Sequence, residues 1–235
     1  MICRIADFNV EFKNPSQYVE KFFLPFKADA LPEVSFSVNA DDIEQQRQRQ
    51  TEVVSDGVLE LTVFHRKLAG WAPLQGAFML HSALIDVEGT GVAFAALSGT
   101  GKTTHMLLWK KLLGDKLTIV NGDKPIIRFI DGKPTAFGTP WQGKESLGDN
   151  ISAPLTDICF IVRSATNSVE KVTSEEIFDK IFNQILLPDD VMGRVITLEL
   201  VNNLLKKCNL WLIKCNMDID AASTAYNAII KSKEE

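Results

Sequence analysis

The residues with the clearest chemical potential lie in a glycine-rich segment, where residues 96–103 read Ala-Leu-Ser-Gly-Thr-Gly-Lys-Thr. This spacing is the phosphate-binding loop (P-loop) pattern, with Ala96 where the first glycine usually stands. Glycines allow backbone N–H groups to turn inward around phosphate oxygens, and a following helix presents its unpaired N–H groups to the same anion. Lys102 supplies a point charge for the β- and γ-phosphates, and the Thr103 hydroxyl can coordinate Mg²⁺. The predicted nucleotide-binding residues are Ser98, Gly99, Thr100, Gly101, Lys102, Thr103 and Thr104.

A carboxylate partner for the metal is expected at the end of a nearby strand. Val120-Asn121-Gly122-Asp123 ends the next apolar segment after the loop. In a sheet where the loop follows one strand, an aspartate that ends the neighbouring strand can reach the Mg²⁺. Asp123 is therefore predicted, together with Thr103, as a metal ligand. The alternative interpretations are structural, namely a turn residue for Asp123 and an ordinary glycine-rich turn for the loop.

The segment around the loop resembles two related groups of kinases. Residues 97–104, Leu-Ser-Gly-Thr-Gly-Lys-Thr-Thr, are similar to the kinase loop of ATP-dependent phosphoenolpyruvate carboxykinase. The wider layout resembles the catalytic domain of HPr kinase/phosphorylase. It has a strand segment with Leu80-His81, a glycine turn, an apolar strand, the loop and an acidic strand end. The resemblance covers residues 76–130 well, and residues 1–70 match neither enzyme.

The resemblance implies an ATP- and Mg²⁺-dependent kinase fold with a hydroxyl acceptor. It carries over Lys102, Thr103 and Asp123 as functional residues, and it places His81 where those kinases keep a histidine near the phosphates. Those families usually show two consecutive acids at the strand end, and Gly122 takes the first place here. The resemblance therefore leaves Asp123 for the metal and leaves the general base open.

His81 is a candidate for that base, because the unperturbed pKa of histidine lies near working pH. A satisfied histidine on a strand is the alternative interpretation. His65, in a polar helix end, is a weaker candidate. His105 is also weaker, because it lies four residues before Trp109 on the helix of the loop, where packing is favoured over catalysis.

A second group of unusual residues is Gly138-Thr139-Pro140-Trp141-Gln142-Gly143-Lys144-Glu145. A tryptophan beside proline and glycine in a loop is costly to leave exposed unless it packs or binds something. Small HPr-kinase-like proteins carry a similar Gly-Thr-Pro-Trp string. Lys144 and Glu145 are candidates for acceptor binding, stabilisation of transition-state charge or base catalysis. Arg163, at a predicted strand end, and Arg128 are candidate contacts of the phosphoryl group, and a surface ion pair is the alternative for each.

Alternating strands and helices must position these residues. A glycine turn between two apolar segments, 78–87 and 92–97, predicts an antiparallel pair that leads into the loop. The predicted fold class is α/β, with a mixed sheet, a P-loop and an HPr kinase/phosphoenolpyruvate carboxykinase-like nucleotide-binding core flanked by helices. Residues 1–70 are predicted as an N-terminal α+β extension packed on that core, and residues 71–235 as the kinase-like core. Strands are expected at 1–13, 34–38, 117–120, 126–130, 135–137, 158–162 and 210–213. Helices are expected at 15–23, 56–70, 102–113 and 189–207. Three more helices are expected to begin at the caps Asp41, Thr173 and Asp218, and the one that begins at Thr173 is expected to end at Pro188.

Composition disfavours several other classes of protein. The 235 residues are 46% hydrophobic and 23% charged, which excludes a largely disordered chain. A net charge of −5 without a basic patch disfavours nucleic-acid binding. No segment approaches the roughly 18 apolar residues of a membrane helix, and the first seven residues lack the features of a signal peptide. A cytoplasmic protein without a membrane partner is expected. The four cysteines lack metal-ligand spacing and are expected to be buried thiols.

Two functions are compatible with these patterns. The first is a phosphotransferase that moves the γ-phosphoryl group of Mg²⁺-ATP to a hydroxyl of a protein, a peptide or a small metabolite. The second is a nucleotide-binding sensor or assembly partner without turnover, which the missing acid at Gly122 favours. A carboxykinase reaction is a distant third, because the chain is short. The sequence leaves open the acceptor, the choice of ATP or GTP, the reverse reaction and a homo-oligomeric state.

Overall fold

The computed structural model describes residues 1–233, in which two β-sheets are flanked by helices. Among these residues, no helix has both the length and the apolar character needed to cross a bilayer. The α-helices of this part of the chain are α1 Gln17–Phe23, α2 Ala40–Arg49, α3 Asp56–Trp71, α4 Lys102–Leu113, α5 Ser174–Phe182, α6 Val191–Lys207 and α7 Ile219–Ile229. The strands are β1 Ile2–Ile5, β2 Phe8–Lys13, β3 Val34–Ser37, β4 Ala77–Met79, β5 Ser82–Val87, β6 Thr90–Ala95, β7 Leu117–Asn121, β8 Ile126–Ile130, β9 Lys133–Phe137, β10 Ser152–Arg163, β11 Ser168–Lys171 and β12 Asn209–Cys215.

The larger sheet is mixed. Its strand order is β4-β8-β9-β10-β6-β5-β7, and β12 pairs with both β10 and β11. Strand β10 runs parallel to β6 and to β12, whereas the hairpins β5–β6 and β8–β9 are antiparallel. The smaller sheet has the order β1-β2-β3. The predicted mixed α/β architecture with flanking helices is therefore confirmed.

The strand register brings three strand ends to one edge of the larger sheet. Strand β5 lies between β6 and β7 and is antiparallel to both, with Ser82 opposite Ala95 and Leu84 opposite Asn121. The start of β5 thus lies beside the ends of β6 and β7, and the Ser82 N–H donates to the Asp123 carbonyl at 2.9 Å. The expectation that Asp123 ends the immediate neighbour of the loop strand is wrong, because β5 separates the two parallel strands.

Apolar side chains fill both faces of the larger sheet. Successive residues of a strand point to opposite faces. Along β6, Ala93 and Ala95 therefore pack in a cluster with α5 and α6, and Val92 and Phe94 pack in a cluster with α4 and α7. Trp109 of α4 is fully buried in the second cluster. The glycine-rich loop is therefore held between a buried strand and a buried helix.

A third apolar cluster joins the N-terminal residues to the rest of the chain. The ring of Phe12 on β2 lies 4.3 Å from that of Phe23 on α1 and 5.1 Å from that of Phe64 on α3. Trp141, from the Gly-Thr-Pro-Trp string, packs on Phe23 with 5.8 Å between ring centroids. The predicted division at residue 70 falls one residue before the end of α3 and stays a prediction.

Several element boundaries differ from those expected. The segment 1–13 folds back at Ala6-Asp7, where both residues have positive φ, and gives the hairpin β1–β2. The segment 78–87 breaks at Leu80-His81, because the Leu80 N–H donates to Pro125 and the His81 N–H donates to Gln184 instead of continuing the ladder. Helix α5 ends at Phe182, before Pro188, and β11 was not anticipated.

Candidate functional site

The glycine-rich loop connects β6 to α4 at the common sheet edge. Gly99 and Gly101 have φ values of 76° and 122°, a region that side chains other than glycine rarely adopt. Helix α4 begins at Lys102 directly after the loop, so its free N–H groups and positive dipole end face the loop. Ser98 and Thr104 are exposed and Thr100 is half-buried. The predicted phosphate-binding residues are therefore contiguous and open to solvent on one side.

The ammonium group of Lys102 lies behind the loop. The residue is 8% exposed, and its Nζ donates to the carbonyl of Ala96 at 3.0 Å. Burial lowers the pKa of Lys102, and the negative charge of Asp123 opposes that effect. The two predicted functional residues thus lie within electrostatic reach of each other, although they are separated along the chain.

The carboxylate of Asp123 is held by two donors. Its Oδ1 lies 3.1 Å from His81 Nε2, and its Oδ2 lies 2.6 Å from Lys124 Nζ. Burial raises the pKa of Asp123, but the hydrogen bonds from His81 and Lys124 and the positive charge of Lys124 outweigh it and hold the pKa well below its usual range. Asp123 is therefore an anion over the whole physiological pH range.

His81 is oriented through both ring nitrogens. Nε2 donates to Asp123. With its amide nitrogen turned toward them, Gln184 donates to His81 Nδ1 at 3.2 Å and to the Ala96 carbonyl at 2.9 Å. This pattern requires the neutral tautomer with its proton on Nε2 and its lone pair on Nδ1. Gln184 is 3% exposed and was missed in the sequence, because it contacts His81 only through the tertiary fold.

The turn that carries Asp123 is built by Asn121 and Thr139. The Asn121 Oδ1 accepts from the N–H groups of Asp123 and Lys124 at 2.9 and 2.7 Å, and its Nδ2 donates to the Thr139 carbonyl at 3.1 Å. The Thr139 hydroxyl in turn donates to the Lys124 carbonyl at 2.7 Å. The Gly-Thr-Pro-Trp string therefore positions Asp123. The Asn-Gly-Asp-Lys-Pro sequence was a signal for this turn.

Gly122 is required by close backbone contacts. A Cβ at this position would lie 2.7 Å from the Gln142 carbonyl oxygen and 3.1 Å from that of Leu147. The segment 142–147 thus covers position 122 and leaves no room for a side chain there. The same segment brings Glu145 near the turn, because an added Cβ on Gly143 would lie 3.2 Å from the Asp123 Cβ and 4.0 Å from Glu145 Oε2. Lys144 and Glu145 are both exposed on this turn.

Substitution of Gly122 by alanine is expected to lower the free energy of unfolding by about 1–3 kcal/mol, because the covering backbone must move to admit one methyl group. The matched control is Gly70→Ala in α3, where no atom beyond the neighbouring residues and the backbone of the helix itself lies within 4 Å of the added Cβ. That change is expected to stabilise the chain by about 0.5–1 kcal/mol through helix propensity. Urea unfolding of both variants measures the difference, and equal effects would contradict the steric explanation.

Arg163 contacts the glycine-rich loop itself. Its Nε donates to the Thr100 carbonyl at 3.1 Å and its Nη2 donates to the Gly99 carbonyl. The guanidinium group thus ties the end of β10 to the loop. Arg128, by contrast, donates to the Ala6 carbonyl and stacks on Phe8 at 4.0 Å, on the N-terminal hairpin.

The other two histidines are buried. His105 accepts from Trp109 Nε1 at 3.1 Å, and burial lowers its pKa to about 4, so it packs beneath the loop. His65 does not lie in a polar helix end as expected, because it is 6% exposed and its ring centroid is 5.2 Å from that of Trp141. Trp141 Nε1 donates to the Leu61 carbonyl at 2.9 Å, so this tryptophan is satisfied by packing within the chain.

Comparison with known proteins gives only weak structural likeness among the matches described. No family model matches the chain, and no curated protein matches it. Among solved structures, the HPr(Ser) kinase/phosphatase from Coxiella burnetii matches with a TM-score of 0.35 and 9% identity, over 66% of this chain and 98% of that one. At these values the likeness decides neither the fold nor the activity of this chain.

The oxygen donors at this edge suit a magnesium ion better than a soft metal. Among residues 1–233, no group of three or more His, Cys, Asp and Glu side chains could hold a metal by itself. Mg²⁺ in nucleotide sites is typically bound through one or two protein oxygens, with phosphates and waters supplying the rest. The Thr103 hydroxyl at the start of α4 and the Asp123 carboxylate fit that requirement, since each Asp123 oxygen keeps one lone pair beside its present partner.

Proposed function

We propose that this chain binds Mg²⁺-ATP on its glycine-rich loop and transfers the γ-phosphoryl group to a hydroxyl acceptor. One observation carries the proposal, namely the meeting of complementary groups at one sheet edge. A loop with two positive-φ glycines precedes a helix N-terminus, a buried Lys102 lies behind it, and the charge of Asp123 acts on that lysine. These are the parts that phosphoryl transfer needs to position a triphosphate and to stabilise its developing charge.

A large cavity beside the loop supports a nucleotide as the ligand. Its volume is about 610 Å³, and it is lined by residues 95–100, by residues 160–163 at the end of β10, and by Asp179, Lys180, Asn183 and Gln184 at and after the end of α5. Pockets for small molecules and cofactors usually have volumes of roughly 300–1,000 Å³. The triphosphate on the loop N–H groups would leave room in this cavity for the nucleoside.

Each loop-side residue has a distinct role in the proposal. The Lys102 ammonium would give up its hydrogen bond to the Ala96 carbonyl and donate instead to oxygens of the β- and γ-phosphates. A neutral acceptor would thus be replaced by an anionic one, which makes a stronger hydrogen bond. Thr103 and Asp123 would hold Mg²⁺, which supplies positive charge between the phosphates. Arg163 keeps two loop carbonyls turned away from the anion, and this leaves the N–H groups to face it.

Two groups are available to accept the hydroxyl proton. The Nδ1 lone pair of His81 faces Gln184, and the Asp123 carboxylate stabilises the imidazolium that would form on protonation. Glu145 lies on the turn that packs against Asp123. The same turn covers Gly122, the position at which the kinases that this segment resembles carry their first acid. We assign His81 as the base because the Asp123 carboxylate already orients its ring, and Gln184 would turn its N–H away from Nδ1 before that nitrogen accepts the proton.

A nucleotide-binding protein without turnover is the second candidate. The observation in its favour is the backbone cover over Gly122, which excludes an acid from the position where related kinases use one. Both Asp123 oxygens also have donors already. This candidate predicts ATP binding of similar strength with no transfer to any acceptor.

The decisive experiment combines a thermal shift with radiolabel transfer. Mg²⁺-ATP at about 100 times its dissociation constant is expected to stabilise the folded chain by about 2.7 kcal/mol. Label from γ-³²P-ATP should pass to a hydroxyl compound in a panel of peptides, polyols and hydroxy acids. Lys102→Met is expected to reduce transfer by about 10²–10³-fold. Lys111→Met, an exposed lysine on the same helix, is the matched control. Transfer that survives Lys102→Met would exclude the proposed role of the loop, and binding without transfer would favour the second candidate.

A further inference from the structure

A second, smaller cavity adjoins Asp123 on the side of the N-terminal residues. Its volume is about 210 Å³, and it lies between α3 and the segment that follows α5. His65, His81, Lys124, Asn183 and Gln184 contribute polar groups to its wall, and Met79 and residues 185–186 contribute apolar surface. Both His81 and Lys124 also contact the Asp123 carboxylate, so the cavity reaches the place where the proposed transfer would occur.

The buried imidazole of His65 is the unexplained feature of this cavity. The side chain is more than nine-tenths buried, and within residues 1–233 its Nε2 has no hydrogen-bond partner. An unsatisfied buried polar atom costs about 1–3 kcal/mol. Burial and the nearby positive charge of Lys124 lower the pKa of His65 to about 3, so the ring is neutral and offers one donor and one acceptor. His65 therefore lines the cavity as a neutral ring, and its unpartnered Nε2 is itself shielded from solvent.

The dimensions and charge of the cavity restrict its ligand. A volume of about 210 Å³ corresponds to roughly seven water molecules at about 30 Å³ each. A ligand of about seven non-hydrogen atoms fits this space. Lys124 gives one donor to Asp123 and has two left for an anionic group. The polar wall and the apolar wall together favour a small anion with a short carbon chain.

We propose that this cavity binds the phosphoryl acceptor and that the acceptor is a small hydroxy acid of three or four carbons. The inference rests on the proposed function above. Lys124 would donate to the carboxylate beside the ring of His65, and the hydroxyl would face His81. The hydroxyl oxygen forms the new bond to the γ-phosphorus as the bond from that phosphorus to the β–γ bridging oxygen breaks. ADP leaves with that oxygen, and the hydroxyl proton passes to His81 Nδ1 after the Gln184 amide has turned its N–H away from that nitrogen.

The test measures binding of hydroxy acids to the full chain by ligand-observed NMR. The probes are glycerate, lactate, serine and malate, with glycerol as the uncharged match, each with and without Mg²⁺ and a non-hydrolysable ATP analogue. At least one hydroxy acid is expected to bind about tenfold more tightly than glycerol, and His65→Phe should weaken its binding by about tenfold. Phe64→Leu, on the same helix but inside the third apolar cluster, should leave binding unchanged.

A second variant keeps the test decisive if His65→Phe fails to fold. Leu186→Trp narrows the cavity from a half-buried position and should abolish binding of the hydroxy acid while the nucleotide analogue still binds. The inference is overturned if no hydroxy acid binds, or if both variants bind as the unchanged chain does. The measurements without nucleotide separate the two proposals. If the nucleotide analogue binds and no hydroxy acid does, only the proposed acceptor site in the cavity is refuted. If the analogue does not bind, only the proposed phosphotransferase function is refuted.

Discussion

Truncation of Trp141 to alanine is expected to lower the free energy of unfolding by about 3–5 kcal/mol. The side chain is 6% exposed and its Nε1 donates to the Leu61 carbonyl at 2.9 Å. It packs on Phe23 and His65, so its removal opens a cavity between the N-terminal residues and the loop over Asp123. Urea unfolding followed by circular dichroism measures the loss.

Two further variants separate packing from hydrogen bonding at Trp141. Trp141→Phe keeps an aromatic ring and leaves the Leu61 carbonyl without this donor, so a smaller loss of about 1–2 kcal/mol is expected. Leu31→Ala, at an apolar side chain that is 89% exposed, should change stability by less than about 0.5 kcal/mol. If Trp141→Ala behaved like Leu31→Ala, the tryptophan would have no structural role and a binding role for the string would be favoured.

Acid should destabilise the chain through His65. Its pKa is about 3 in the folded chain and its ordinary value is 6.5, because burial disfavours the charged ring. As the pH falls through 6.5 the unfolded chain takes up this proton, and the folded chain does not until the pH approaches 3. Stability from this group is therefore complete above pH 6.5. Between pH 6.5 and 3 it falls by roughly 1 kcal/mol per pH unit.

His65→Phe tests this linkage. Phenylalanine has a similar shape and no titrating nitrogen, so its free energy of unfolding should fall less steeply between pH 6.5 and 4 than that of the unchanged chain. At pH 7 the variant should be as stable as the unchanged chain or more stable, because it also removes an unpartnered buried atom. Parallel slopes for the two proteins from urea unfolding at each pH would show that His65 does not carry the acid sensitivity.

The features that could be predicted from sequence are those with local physical causes. Helix α4 was predicted with its observed bounds, because the glycine-rich segment fixes its start and Gly114 its end. The capping box at Thr173 placed the start of α5. The hairpin β5–β6 followed from the glycine turn between two apolar segments. In each case residues within a few positions of one another supply the turn or the cap.

The features that were missed depend on contacts between distant residues. The break at Leu80-His81 arises because Gln184 accepts the His81 N–H, and nothing near residue 80 signals it. The polar neighbours of His65 suggested an exposed helix end, but Trp141 covers this side chain from another part of the chain. The place of β5 between β6 and β7 follows from sheet pairing, which spacing along the chain does not determine.

The candidate site divides in the same way. Lys102, Thr103 and the two glycines form a local pattern that the sequence displays completely. Arg163 donates to loop carbonyls more than sixty positions earlier in the chain. From the sequence it could be proposed only as a cation at a strand end. The need for glycine at position 122 became clear from the backbone of residues 142–147, which local sequence does not place there.

The anchoring of Trp141 also bears on the order in which the chain can fold. Its indole donates to Leu61, eighty residues earlier, and Arg128 donates to Ala6, 122 residues earlier. Contacts of such long sequence separation form late, because closing a large loop costs entropy before the contact compensates for it. During synthesis the hairpin β1–β2 and α3 leave the ribosome before Arg128 and Trp141 do. The turn that carries Asp123 is therefore expected to acquire its final geometry near the end of folding.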